Sequence, residues 1–235
     1  MAHRAKGESD QALADFTKAI ELDPRYAAAF NGRAGIYQAR GEFDLALADY
    51  SKAIDIIPTD ADAYVIRGNA YKQKGDLERA LADYNKAIEL NPKLSFAYNS
   101  RGLLNWDKGD FDQALADTSK AIELDPKDPR AYNGRGLVYQ AKGDLDGALR
   151  DYDKAVELNP KDAEDYFNRG AIFQLKGKLD WALADFNKAI ELNPKDGGAY
   201  RKRGIVYAAK GDTKRAQADY DKADRLELQT LTGAK

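Results

Sequence analysis

Proline stands at Pro24, Pro58, Pro92, Pro126, Pro160 and Pro194, each 34 residues from the last. Gly7, Gly41, Gly75, Gly109, Gly143, Gly177 and Gly211 keep the same beat. So do Ala12, Ala46, Ala80, Ala114, Ala148, Ala182 and Ala216, and Ala19, Ala53, Ala87, Ala121, Ala155, Ala189 and Ala223. A fixed period of roughly 20–50 residues means one small supersecondary unit stacked many times. Each unit of such an array touches mainly its neighbours, so no single central core is required. An array without a central core offers surfaces more readily than one deep pocket, which points toward binding and away from catalysis.

The stretch from Ala61 to Leu94 shows what one unit is. Tyr64, Gly68 and Tyr71 fall at helical spacing in its first half. Gly75 then ends that helix, because glycine takes the left-handed conformation without a Cβ clash. Asp76 is placed to cap the next helix through a backbone N–H bond. Leu77, Ala80, Leu81, Tyr84, Ala87, Ile88 and Leu90 form the apolar face of the second half. Asn91-Pro92 closes it, since proline disfavours helix in the residue before it. The unit is therefore two antiparallel helices. Gly68 and Ala80 are small where these two should approach, and Ala87 where the next unit presses in.

This pattern resembles the tetratricopeptide repeat: Gly68, Tyr71, Gly75, Ala80, Tyr84, Ala87 and Pro92 carry it in one unit, and seven copies stand in register. The resemblance implies an all-α fold, a right-handed superhelical solenoid of antiparallel helix hairpins with a concave groove lined by first helices. It divides the chain into a partial repeat at 1–26, repeats at 27–60, 61–94, 95–128, 129–162 and 163–196, a capping repeat at 197–230 and a tail at 231–235. Thr213, Gln217 and Asp224 replace apolar residues in the last repeat, as the polar outer face of a cap requires. Leu228 stands where proline was due, so the last helix is free to run on.

Three charged columns repeat as faithfully as the small ones. They are Arg33 to Arg203, Asp15 to Asp219 and Lys18 to Lys222. Function should differ between units whereas packing must recur, so these charges read as ion pairs between repeats and a solvated face. On that reading, replacing Arg67, Arg101 or Arg135 by Met alters stability modestly. Binding then falls to the variable positions of the first helices. By the family's geometry these include Asn31, Phe96, Asn99, Leu103, Trp106, Asn133, Leu137, Gln140, Phe167 and Asn168. A carboxamide offers a donor and an acceptor together, so it suits a peptide backbone. The carboxylate clamp of chaperone-binding members is incomplete here. Asn168 and Lys202 match two of its slots, but Leu137 and Gly198 occupy others. Trp106 stands in a unit that has also lost two aromatics, at Asn105 and Thr118. It is either a recruited contact residue or replacement volume.

Composition narrows the function. Net charge is −2, with 37 basic against 39 acidic side chains, so no basic excess is available for a nucleic-acid backbone. Cysteine is absent and His3 is the single histidine. Neither a thiol nucleophile nor a metal-spaced ligand set follows. No catalytic residue, metal or cofactor is expected. The stretch MAHRAKGESD holds no apolar leader, and no apolar run approaches the ~20 residues of a membrane span; a cytoplasmic location is favoured. The expected function is a non-catalytic scaffold or adaptor that binds a protein or peptide segment. Two alternatives remain. One is a self-assembling array, a homo-oligomer formed through Ala12, Phe16 and Ala19, whose first-helix partner is mostly absent. The other is an idealised or engineered repeat scaffold.

Overall fold

A computed structural model describes the backbone of residues 2–233 and the side chains of residues 8–229. Thirteen α-helices and no strand occur among the described residues. They are α1 (Ala2–Leu22), α2 (Ala27–Ala39), α3 (Phe43–Ile56), α4 (Ala61–Lys74), α5 (Leu77–Leu90), α6 (Ser95–Asp107), α7 (Phe111–Leu124), α8 (Pro129–Ala141), α9 (Leu145–Leu158), α10 (Ala163–Leu175), α11 (Leu179–Leu192), α12 (Gly197–Ala209) and α13 (Thr213–Gly233). Two compact units divide the chain at Asp125 and Pro126. The first contains the hairpins α2–α3, α4–α5 and α6–α7, preceded by α1. The second contains α8–α9, α10–α11 and α12–α13.

The local chemistry of each hairpin explains its turn. Gly75 ends α4 at φ 89°, a left-handed conformation that costs glycine nothing. Asp76 then accepts a hydrogen bond from the Arg79 backbone N–H at 3.1 Å and caps α5. Asp60 caps α4 in the same way, accepting from the backbone N–H groups of Asp62 and Ala63. Two ends depart from the repeat. α1 continues through Gly7, and α13 continues through Leu228 in the absence of proline.

Small residues set how closely the two helices of a hairpin pack. A Cβ placed on Gly68 would lie 2.7 Å from the Tyr84 ring and 3.3 Å from the Ala80 carbonyl oxygen. Tyr84 is fully buried, so its ring cannot swing clear. Gly136 faces Tyr152 and Gly204 faces Tyr220 in the same manner. Gly68→Ala is therefore expected to destabilise the first unit by ~2 kcal/mol through overpacking. Urea denaturation followed by circular dichroism measures it; unchanged stability would contradict the close approach.

The arginine column acts mainly inside each hairpin, which corrects the expectation of ion pairs between repeats. Arg67 on α4 grips Asp83 on α5 with two hydrogen bonds, at 2.9 and 2.7 Å. The same bidentate fork joins Arg33 to Asp49, Arg101 to Asp117, Arg135 to Asp151, Arg169 to Asp185 and Arg203 to Asp219. The guanidinium lies 16 residues from its carboxylate, on the facing helix, so the pair locks the hairpin. A remaining N–H reaches back one hairpin: Arg67 to Ser51, Arg101 to Asn85, Arg169 to Asp153 and Arg203 to Asn187. Tyr64 and Tyr71 sandwich Arg67 at 5.6 and 5.8 Å, a geometry that suits a planar guanidinium.

Candidate functional site

First helices carry the sequence-selected residues: Asn31 on α2, Phe96 to Trp106 on α6, Asn133 to Gln140 on α8, and Phe167 and Asn168 on α10. Four polar atoms among the described residues are sealed from solvent and bonded to no protein group. They are Asn31 Oδ1, Asn99 Oδ1, Trp106 Nε1 and Asn168 Nδ2. All four belong to residues assigned from the sequence to the first-helix groove, Asn168 through its match to a clamp slot. Leaving a buried donor or acceptor unmet costs about 1–3 kcal/mol. Native proteins keep few such groups, and each one has a structural cause.

The remaining selected residues divide into free and engaged. Leu103 and Leu137 are half-buried. Phe96 packs on the core cluster formed by Ala80, Tyr84 and Ala97. Phe167 is committed to the interior, its ring 5.9 Å from Phe186 on α11. Gln140 accepts a hydrogen bond from the Tyr152 hydroxyl at 3.2 Å. The slot of Asn99 holds Val65 in the preceding hairpin, where it is fully buried in the core. At Arg201 the same slot is paired with Asp224 and Glu227.

The unit around Trp106 has been repacked. Thr118 is fully buried, donates to the Ala114 carbonyl at 2.8 Å, and its methyl lies 2.8 Å from where a Cβ on Gly102 would stand. Asn105 donates to Asp117 at 3.3 Å, joining Arg101 on that carboxylate. Both replacements are thus satisfied within the hairpin, while the Trp106 N–H is not.

One feature was not singled out from the sequence. Ala29, Ala63, Ala97, Ala131 and Ala199 form a buried column, and Asp165 takes the sixth place in it. The residue is 3 % exposed. Oδ1 accepts from Asn133 Nδ2 at 2.5 Å. Burial pushes the Asp165 carboxyl up to about 6, against the Asn133 hydrogen bond, and Asp162 and Glu164 add to the rise. The broken alanine column was the available signal.

At the other end, Ala12, Phe16 and Ala19 are half-buried on α1. Their column mates Ala46, Tyr50 and Ala53 are buried. Phe16 is partly housed by α2: its ring fills the notch that Gly32 leaves, 2.4 Å from where a Cβ would stand. The His3 side chain and those of the 231–235 tail lie outside the described residues. Among the described residues, no cluster of three His, Cys, Asp or Glu is placed to hold a metal. No helix there is long and apolar enough to cross a membrane.

Comparison with known proteins agrees with this architecture. Models described as TPR repeat match residues 34–75, 68–109 and 106–143. Tetratricopeptide repeat models match 129–162, 163–196, 186–218 and 1–26. No curated protein sequence matches the chain. Among solved structures, a tetratricopeptide repeat protein from Parabacteroides merdae is 26 % identical with a TM-score of 0.73, over 94 % of this chain and 88 % of that one. YrrB, described as a TPR protein with an unusual peptide-binding site, is 30 % identical with a TM-score of 0.57, over 77 % of this chain and 94 % of that one. A chain of the APC/C hetero-tetramer Cut9-Hcn1 shares the fold at 19 % identity and a TM-score of 0.84; 94 % of this chain spans 44 % of it. With matches along most of its length, the chain belongs to the tetratricopeptide repeat family.

Proposed function

We propose that the chain is a non-catalytic adaptor whose first helices hold an extended peptide by its backbone. The observation that carries this reading is the set of unmet polar atoms at Asn31, Asn99, Trp106 and Asn168. A peptide main chain presents an N–H and a C=O at every residue; once the side chains that cover these atoms move aside, it complements the acceptors at Asn31 and Asn99 and the donor at Trp106 in the first unit and, separately, the donor at Asn168 in the second. The half-buried Leu103, four residues from Asn99 on α6, adds apolar contact in the first unit, and the half-buried Leu137 on α8 adds it in the second. The relative YrrB, with a peptide-binding site in its description, supports the same class of ligand.

Other hairpins supply the substitutions that test it. Val65 occupies the Asn99 slot and Ile66 the Asn168 slot. The variant Asn99→Val, Trp106→Phe, Asn168→Ile is expected to keep its helicity and melt at the same or a higher temperature. Its capture of peptides selected by the parent from a random nonapeptide library should fall at least ~10-fold, since each lost bond is worth about 1–3 kcal/mol. Equal capture by variant and parent would refute the reading.

A second reading rests on the half-buried Ala12, Phe16 and Ala19, whose column mates are buried. It pairs two copies of the chain through α1. Ala12→Asp is then expected to abolish a concentration-dependent dimer in sedimentation velocity. A parent chain that stays monomeric at ~100 μM would exclude pairing of any useful strength, which needs about −5 to −6 kcal/mol.

A further inference from the structure

Asp165 stands in a column that is alanine in the five other places, and every one of those alanines is buried. A carboxylate at such a position needs strong compensation, because burying a charge is costly unless it is paired and hydrogen-bonded. The chain provides half of it. Asn133 donates to Oδ1 at 2.5 Å. Oδ2 has no hydrogen bond or ion pair among the described residues, yet it is not among the atoms sealed from solvent.

Among the described residues, no cation is bonded to the Asp165 carboxylate. Arg169, one turn along α10, is held by Asp185 and Asp153. Arg135 on α8 is held by Asp151. The neighbouring charges at Asp162 and Glu164 are acidic and make the spot more hostile to a lone carboxylate. Burial also raises the Tyr152 hydroxyl, with Asp165 adding to the rise, so that group stays a neutral phenol. Three residues along the helix, on the same face, Asn168 keeps a buried Nδ2 donor that no protein group accepts. An unmet carboxylate oxygen and an unmet amide donor thus stand three residues apart on one face of α10. A ligand that meets both must displace the cover over Asn168 Nδ2, and it brings a positive charge and, close to it, a carbonyl oxygen.

Resting on the peptide-binding reading above, we propose that the second unit recognises a lysine of its peptide ligand, with the lysine ammonium on Asp165 and a ligand main-chain carbonyl on Asn168 Nδ2. Lysine fits better than arginine. Its charge is compact, on a slender flexible stem, and suits a carboxylate on a residue that is almost wholly buried. A planar guanidinium needs a broad, fork-shaped opening to bond well. The site therefore supplies specificity, whereas the carboxamides at the other first helices hold backbone of any sequence.

The test uses the full chain and a library of N-acetylated random nonapeptides on beads, so that no peptide offers a terminal amine. The parent is expected to select peptides with lysine enriched at one fixed position. Replacing that lysine by norleucine should weaken binding to the parent at least 10-fold. Asp165→Asn, which keeps a carbonyl for Asn133, should still select peptides but lose the lysine preference. It should also bind the lysine and norleucine peptides within about 2-fold of each other. Selection by the parent without a lysine consensus, or with arginine or an acidic residue at the fixed position, would overturn the proposal. So would an unchanged preference in Asp165→Asn. If neither protein selects any peptide, the peptide-binding reading itself fails and this inference falls with it.

Discussion

Arg67→Met is expected to destabilise the first unit by ~3–5 kcal/mol, the cost of stranding a buried carboxylate. Asp83 is 5 % exposed and receives both of its strong hydrogen bonds from the Arg67 guanidinium. Methionine fills the volume between Tyr64 and Tyr71 but provides no donor. The charge columns taken alone suggested a modest effect, because they did not reveal that the aspartate is inside. The double change Arg67→Met, Asp83→Leu removes the charge with its partner and should recover most of the loss, as apolar replacements of buried pairs do. Each unit touches chiefly its neighbours, so the damage should be local. Hydrogen exchange is expected to rise first in α4 and α5. Denaturation showing a single-variant loss below ~1 kcal/mol, or a double variant no better than the single, would contradict this description.

Asp165→Asn should act in the opposite direction. The folded-state pKa of Asp165, about 6, lies above its ordinary 3.8. Between those values the folded chain holds a proton that the unfolded chain releases, so stability falls as pH rises through that window. Above pH ~6 the full penalty is present, on the order of 3 kcal/mol for a shift of about two pK units. The asparagine variant has no charge to bury and still offers Asn133 an acceptor. It should be more stable than the parent at pH 7.5 by roughly 2–3 kcal/mol, and the advantage should vanish near pH 4. Asp162, Glu164 and Tyr152 are the titratable groups that interact with this carboxylate, and the substitution leaves them in place. Thermal melts of both proteins from pH 4 to 7.5 measure the difference. A variant less stable at pH 7.5, or a gain that does not shrink on acidification, would be the contrary result. If Asp165 binds a ligand cation, this gain in stability comes with a loss of specificity.

Most of the hairpin architecture was legible because packing repeats. Gly75, Asp76, Gly68 and Ala80 each act through short-range geometry that must recur in every unit, so one unit explains the others. The arginine column was legible as structural but not in its direction. Arg67 and Asp83 are 16 residues apart, which brings them face to face only once the hairpin is closed. Trp106 stands out as a departure from its unit, Asn99 as a groove slot and Asn168 as a match to one clamp slot, and the structure adds that their polar atoms lack partners. Gln140 and Phe167 looked equally variable, yet Tyr152 and Phe186 engage them. Periodicity does not record such cross-helix contacts. Asp165 is visible as a break in an alanine column, but the break alone does not tell that the column faces the interior and that this residue is buried.

Peptide bound at the unmet polar groups of the first helices, as proposed, must change the environment of their own N–H groups. The most direct test is the 1H–15N spectrum of the side-chain N–H groups during titration with a peptide selected by the parent chain. The two tryptophans provide an internal contrast. Trp106 Nε1 is sealed and unpartnered, whereas Trp181 is 64 % exposed and stacks its ring on Phe173 at 5.8 Å. A peptide in the first unit is expected to shift the Trp106 indole and Asn99 carboxamide signals, and one in the second unit the Asn168 carboxamide, with the Trp181 indole unmoved in both cases. Saturation that leaves Asn99, Trp106 and Asn168 all unchanged, or that moves Trp181 alone, would contradict the claim.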